Sequence, residues 1–342
     1  MSNNSTLPDG YGIISVFRVE LDGSYWYYAP NKGAPIAFAV LFGISGIIHA
    51  CQCFKYHCWK VGGLLPWAAT LFVGAFVARE IGAYNYDNLG VFIASTVLFL
   101  IAAPVYEGAN YFLLGRILYY VPYNSPLHPG RVVSTFVGID LVIGTLTGVG
   151  APRVANSSLS QSDINLGKNL LKAALLLQIA SMCTFVAITA RYHYRCYKTG
   201  TLPNNLRTVL IVLYISCTLI TVRTIYRTVE YFEAASLNVY SDVLHISPLL
   251  KHEFYFWVFE AMFMFLNTVL LNTFHPSRFL PVNNKIYLAQ DGVTEIEGPG
   301  YEDKRHFLLT LFDPFDIVGI ITKRDEREKF WEKDGKEEKV EA

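Results

Sequence analysis

Charge is scarce along this chain. Only 16% of its 342 residues are Asp, Glu, Lys or Arg, against about a quarter in a soluble domain, so an ordinary water-solvated fold is disfavoured and lipid is expected as part of the solvent. An excess of either sign is also missing: 28 basic residues balance 28 acidic ones. With no dense basic stripe, nucleic acid is not an expected partner. The six cysteines form no secreted disulfide framework. No basic segment leads into an apolar run at the N-terminus, so no cleavable signal peptide is expected and the first apolar helix serves as its own insertion signal. Phosphate loops, Gly-x-Ser-x-Gly turns and His-Glu-x-x-His pairs are absent. These absences argue against an ATP-driven pump or a hydrolase, and imply a non-enzymatic protein without cofactor or metal.

What the chain does have is long apolar runs. Crossing a hydrocarbon layer of about 30 Å takes roughly 20 mostly apolar residues. Seven stretches qualify: Ala34–Phe54, Gly63–Tyr84, Leu89–Leu118, Val132–Ala151, Leu170–Ala190, Thr208–Phe232 and Leu249–Phe274. The expected fold is an all-α integral membrane protein, a bundle of seven transmembrane helices. Pro104 interrupts the third span and frees a backbone carbonyl that neighbouring helices must satisfy. Tyr25 to Tyr28, Tyr119, Tyr120, Tyr192 and Tyr194 fall at span ends, where amphipathic rings read as interfacial belts.

Short-loop charge sets the orientation. Lys55 and Lys60 flank the first loop, Arg131 ends the third, and Arg191, Arg195, Lys198 and Arg207 crowd the fifth. The positive-inside bias places these loops and the C-terminal tail in the cytosol, with the N-terminus outside. The glycosylation acceptors Asn3, Asn4 and Asn156 then share the outer side. The organisation is an extracellular segment 1–33, a seven-helix domain 34–275 and a charged cytosolic tail 276–342, which carries a short apolar piece at Phe307–Ile321.

Ionisable groups within the spans carry the most information. Each costs about 2.5–3.5 kcal/mol at a helix centre, so it faces the bundle interior and finds a partner. They are Arg79 and Glu80 in the second span, Glu107 and Arg116 in the third, Asp140 in the fourth, Arg223, Arg227 and Glu230 in the sixth, and Glu253 and Glu260 in the seventh. Arg223, Arg227 and Glu230 lie at i, i+4 and i+7, on one helix face. Glu253 and Glu260, seven apart, are expected to share a face too. Two readings stay open: a polar cavity opening toward the outer leaflet and lined by the second, sixth and seventh spans, or buried ion pairs that fix packing. Arg79 and Arg116 are assigned to structural pairs. Cys51, Cys53 and Cys58 cluster with His57 at the end of the first span; without a second ligand pair nearby they suit S-acylation better than zinc.

Several motifs in order carry a resemblance. The third span has Ala103-Pro104, Ala109, Tyr111 and Gly115-Arg116. The fourth has Phe136-x-x-x-Asp140, then Gly148 and Gly150. Gly167 and Gln178 lead into the fifth, and Arg223-Thr-Ile-Tyr-Arg-Thr-Val-Glu230 stands in the sixth. Glu253, an aromatic run over 254–259 and Asn272-x-x-His275-Pro276 follow. Over about residues 25–281 the chain resembles the fungal RTA-like, lipid-translocating exporter family. It departs from that pattern in having Glu260 for a usual Asp, Thr147 for a common Gln, no Gly near Glu233-Ala234, and Arg79 before Glu80.

The resemblance implies a plasma-membrane or endomembrane protein that transports or releases amphipathic lipids, such as sphingoid long-chain bases or sterol-amine-like compounds, and so contributes to toxic-lipid or drug resistance. Glu80, Glu107, Asp140, Gln178, Arg223, Arg227, Glu230, Glu253 and Glu260 are its candidate substrate-binding residues. In this reading Glu253 and Glu260 hold the amine, and Arg223 and Arg227 pair with Glu230 and Glu80. The alternative is a seven-helix lipid sensor acting on other transporters through partners of its tail. A G-protein-coupled receptor is disfavoured by the missing Asp-Arg-Tyr and Asn-Pro-x-x-Tyr runs, and a retinal protein by the missing mid-span lysine in the seventh helix.

Overall fold

The computed structural model describes residues 26–300 apart from 27, 157–158 and 237–247, together with Val318 and Ile321. Asn3, Asn4, Tyr25, Tyr27 and all but two residues of the apolar piece at Phe307–Ile321 lie outside the described residues. Nine α-helices are described: α1 (Ala34–Lys55), α2 (Trp59–Gly62), α3 (Leu64–Gly82), α4 (Leu89–Tyr120), α5 (Pro129–Ala155), α6 (Gln161–Lys198), α7 (Asn204–Ser236), α8 (Pro248–Lys251) and α9 (Phe263–Thr273). A π-helical stretch, Phe256–Met262, leads directly into α9. Seven helical segments are long and apolar enough to cross a membrane: α1, α3, α4, α5, α6, α7, and the π-helix with α9. The chain is a mostly helical multi-pass membrane protein, as the apolar runs predict.

Local chemistry starts and stops these helices. Asn88 caps α4 by accepting the Val91 amide at 3.1 Å, and Ser160 caps α6 by accepting that of Asp163 at 3.2 Å. Pro129 opens α5, where its missing N–H costs nothing. At about 1.5 Å per residue the 38-residue α6 is about 57 Å long, well beyond a hydrocarbon core, so its basic last turns extend past the apolar stretch.

Sequential contacts α1·α3, α3·α4, α4·α5, α5·α6, α6·α7 and α7·α9 make a ring that α9 closes against α1; α4 also reaches α7 across the middle. Helix α1 displays the inverted pattern of a lipid-solvated helix. Ile36, Val40, Ile44, Ile47 and Ile48 are exposed, whereas Phe42, Ser45, His49 and Cys53 face inward. Lipid competes for apolar contacts, so close packing and hydrogen bonds hold the ring. Ser45 Oγ and Thr268 Oγ1 lie 2.7 Å apart, Asn272 donates to Ser45 Oγ at 2.6 Å, and Gln52 donates to the Asn272 carbonyl at 2.8 Å. In the centre, Asn110 donates to Ser216 at 2.8 Å and Ser216 to Asn267 at 2.7 Å, tying α4, α7 and α9 together. Helices α5 and α6 touch backbone to backbone: a Cβ on Gly167 would stand 2.9 Å from the Gly150 carbonyl oxygen and 2.7 Å from Arg153 Cβ.

Two expectations are corrected. Glu253 lies in a turn outside the seventh helix and Glu260 in a π-helix, so seven-residue spacing does not set a common face; the wider π turn changes the angular step. Tyr119, Tyr120 and Tyr192 are buried rather than belted at an interface. The first two are covered by the C-terminal segment, with Tyr119 donating to the Lys285 carbonyl and Tyr120 to Glu295; Tyr192 donates to the Ile117 carbonyl. The start of the polar tail is structured. Strands β1 (Ile286–Leu288) and β2 (Glu295–Glu297) form an antiparallel hairpin in the register Ile286↔Glu297. Arg116 clamps this segment with bonds to the carbonyls of Pro281, Asn283, Asn284 and Ile286 at 2.8–3.2 Å.

Candidate functional site

The bundle interior holds a chain of guanidinium–carboxylate contacts at the end where α1 begins. Its centre is Glu260, fully buried on the π-helix. Arg223 clamps it with two parallel bonds, Nε to Oε2 at 2.8 Å and Nη2 to Oε1 at 2.7 Å, and Arg227 Nε adds a third at 2.7 Å. Arg227 also reaches Glu230 at 2.7 Å, whose other oxygen accepts the Tyr226 hydroxyl at 2.9 Å. The i, i+4, i+7 face of α7 therefore presents both arginines and Glu230 as its spacing predicts. Arg223 Nη2 further donates to the Phe99 carbonyl at 2.8 Å. That carbonyl adjoins the one at Leu100 that Pro104 leaves without its helical donor, so this turn of α4 is tied to α7.

A second pair lies beside the first. Arg79 bonds to Glu253 at 2.7 Å and to the Tyr28 hydroxyl at 3.0 Å. Its guanidinium sits 3.8 Å from the Phe256 ring centre and 4.7 Å from that of Trp26, a stacked cation–π arrangement that suits arginine's planar group. Burial raises the Tyr28 hydroxyl above its usual pKa, while Arg79 opposes that shift. The other Glu253 oxygen accepts the Asn31 amide at 2.9 Å, and Glu80 accepts the Gly33 amide at 3.1 Å.

Charge balance separates the acids. Arg79, Arg223 and Arg227 meet Glu230, Glu253 and Glu260, three against three, and that cluster is neutral. Glu107 and Asp140 stand apart. Neither carboxylate has a described cationic partner in an ion pair. Gln178 Nε2 donates to Glu107 Oε1 at 2.6 Å, and the Tyr111 hydroxyl bridges Glu107 Oε2 at 3.2 Å and Asp140 Oδ1 at 3.3 Å. Asp140 Oδ2 is buried and has no hydrogen-bond partner. An acidic pair so placed, at roughly 2.5–3.5 kcal/mol per intramembrane charge, is a demand for a cation or a proton.

A cavity of about 180 Å³ borders the arginine cluster and reaches Gln178. Its apolar wall includes Trp26, Phe92, Phe99, Leu100, Leu171, Leu175 and Phe256; Arg79, Arg227 and Glu230 line one part, and Gln178, Ser95, Thr96 and Thr147 another. Gln178 thus touches both the cavity and the Glu107–Asp140 pair. The cavity draws mostly on the third to sixth spans, with Arg79 and Phe256 contributed by the second and seventh, so the expected lining by spans two, six and seven is too narrow. Trp26 and Tyr28 stand at the same bundle end as Asn156, which follows α5.

Of the candidate residues, Arg227, Glu230 and Gln178 line the cavity, Glu107 joins it through Gln178, and Arg223, Glu253 and Glu260 lie behind it in ion pairs. Arg223 and Arg227 do not pair with Glu80, which instead holds the start of α1. Sequence reasoning missed Tyr28 and the Asn110–Ser216–Asn267 thread. Uncharged polar residues in mid-span are the signal that marks the thread.

A family model described as RTA1 like protein matches residues 67–283. The chain is 40% identical to "Lipid-translocating exporter-like protein RTA1" of Leptosphaeria maculans, over 92% of this chain and 62% of that relative, so it spans less than two thirds of the relative's length. It is 26% identical to "Probable lipid transporter atnI" of Emericella nidulans over 75% of this chain and 69% of the relative. It is 24% identical to "Sphingoid long-chain base transporter RSB1" of Saccharomyces cerevisiae over 74% and 73%. No solved structure matches the chain.

Proposed function

This chain belongs to the RTA1-like protein family, and from that premise and the cavity we propose that it moves amphipathic lipids carrying an amine, of the sphingoid-base or sterol-amine type, across the plasma membrane. The observation that carries the reading is the surplus acid: among the described residues Glu107 and Asp140 make no ion pair, while Glu230, Glu253 and Glu260 each meet an arginine. An ammonium headgroup entering from the cavity supplies the missing charge once Gln178 swings aside. In this reading the ammonium head enters the cavity while the hydrocarbon tail stays in the bilayer. This assigns the amine to Glu107 and Asp140 rather than to Glu253 and Glu260, and no covalent chemistry is required. Orientation follows the positive-inside bias, with the cavity facing the outer leaflet, Asn156 outside and the tail in the cytosol. Release of such lipids would underlie resistance to toxic amphiphiles.

The test is translocation of a labelled sphingoid base in liposomes containing the purified protein, beside Glu107→Gln and Asp140→Asn. Protein-dependent movement that falls at least tenfold in both variants is expected; movement unchanged in both removes the acid pair from the mechanism. The sensor reading draws on one observation, the clamp that joins residues 281–286 to α4, the helix carrying Glu107. Truncation after Gly300 separates the two: a carrier keeps lipid movement, and a regulator loses its cellular phenotype.

A further inference from the structure

The link between α1 and α2 places two thiols in contact. Helix α1 ends in a Schellman turn: His57 adopts φ +49°, its amide bonds to the Phe54 carbonyl at 3.4 Å, and the Cys58 amide reaches back to the Cys53 carbonyl at 3.2 Å. Such a turn joins the side chains at these last two positions, usually a pair of apolar groups. Here they are Cys53, buried, and Cys58, partly exposed. Both sulfurs converge on Gly62: a Cβ there would lie 3.2 Å from Cys53 Sγ and 3.1 Å from Cys58 Sγ. The same point is 3.8 Å from His275 Nε2, brought in from the far end of α9.

His275 is 2% exposed, and its ring stacks on Tyr56 at 5.4 Å. Its Nδ1 accepts the Ser277 amide at 3.3 Å, which assigns the proton to Nε2. That buried Nε2 has no hydrogen-bond partner and faces the thiols. The contact with Cys53, then the nearby His275 and Ser277, hold the Cys58 thiol well below its ordinary range, against the opposing effect of burial. A cavity of about 20 Å³ adjoins Gly62, His275 and Ser277, room for one water-sized molecule. Among the described residues no group of three or more His, Cys, Asp or Glu could hold a metal ion.

We propose that Cys53 and Cys58 form an oxidation site for a small hydroperoxide, which the pair reduces as it closes into a disulfide. The Cys58 thiolate attacks the nearer peroxide oxygen; the S–O bond forms, the O–O bond breaks, and the alkoxide or hydroxide leaves with a proton relayed through His275 Nε2. Cys53 sulfur then attacks the Cys58 sulfenic acid; the S–S bond forms, the S–O bond breaks, and hydroxide leaves as water with the Cys53 proton. Two thiols supply the two electrons that the peroxide accepts. With the orientation inferred above, the site faces the cytosol, where disulfides are transient and suit redox sensing. Closure staples the end of α1 to α2 beneath α9.

The test treats the folded full-length protein in detergent with hydrogen peroxide at pH 7, followed by alkylation and peptide mass spectrometry. The expected result is a Cys53–Cys58 cross-linked peptide, reversible by dithiothreitol, formed about tenfold faster than free N-acetylcysteine is oxidised. In Cys53→Ser, a dimedone adduct should accumulate on Cys58, and His275→Gln should slow oxidation several-fold. Absence of the cross-linked peptide in the wild-type protein, or its formation only after denaturation, overturns the proposal. So does an unchanged rate in His275→Gln.

Discussion

Glu260→Gln isolates the charge at the centre of the arginine cluster. The carboxylate takes three charge-assisted bonds of 2.7–2.8 Å, two from Arg223 and one from Arg227. Each such bond contributes about 1.5–3 kcal/mol, and removing one partner of a buried pair costs about 3–5 kcal/mol because the other charge stays desolvated. Arg227 keeps Glu230, whereas Arg223 keeps only the Phe99 carbonyl and the amide oxygen of the new glutamine. The loss should therefore fall near the lower bound, about 3 kcal/mol, which lowers the thermal midpoint by roughly 6–12 °C for a domain somewhat smaller than this chain. Thermal unfolding of the purified protein in detergent measures it. Glu107→Gln is the control, since an amide can still meet Gln178 and Tyr111 and no described cation is left unpaired; its midpoint should stay within about 2 °C or rise. A Glu260→Gln protein as stable as wild type, beside a destabilised Glu107→Gln, would refute the division into a neutral structural cluster and a surplus acidic pair.

Gly167→Val should weaken the bundle by about 1–3 kcal/mol, because the added carbons meet the Gly150 carbonyl and Arg153 Cβ rather than yielding side-chain tips; detergent melting reads it. Arg116→Met keeps length but removes the bonds to four carbonyls, so proteolysis between Pro281 and Glu297 should accelerate at least tenfold while the transmembrane core stays protected. Arg79→Lys preserves charge but loses the planar stack on Phe256; it should cost about 1–2 kcal/mol in midpoint shift and fail to restore wild-type stability.

The number and order of the spans were legible because about 20 apolar residues are the price of crossing lipid, whatever the tertiary structure. The face of α7 was legible too, since Arg223, Arg227 and Glu230 keep helical spacing. Partner choice was not. Glu260 faces Arg223 because the π-helix changes the angular step, and no periodicity announces such a turn before it is seen. The split between neutralised and surplus carboxylates likewise depends on pairing across helices far apart in sequence, as between Arg79 and Glu253. Tyr119 and Tyr120 were misplaced because residues at span ends were assumed to meet headgroups, when a polar segment 166–181 residues later covers them.

The aromatic setting of Arg79 also gives the protein an optical property. Of its five tryptophans, Trp26 and Trp257 lie 4.7 and 5.4 Å from that guanidinium, and Trp26 lines the cavity itself. Trp59 and Trp67 point outward. Replacing Trp59, Trp67, Trp257 and Trp331 with phenylalanine would leave an emission spectrum that reports from Trp26 in the cavity wall. A ligand that displaces Arg79 or strips water from Trp26 would then shift colour or intensity without any attached dye, so occupancy could be followed in real time and in native lipid.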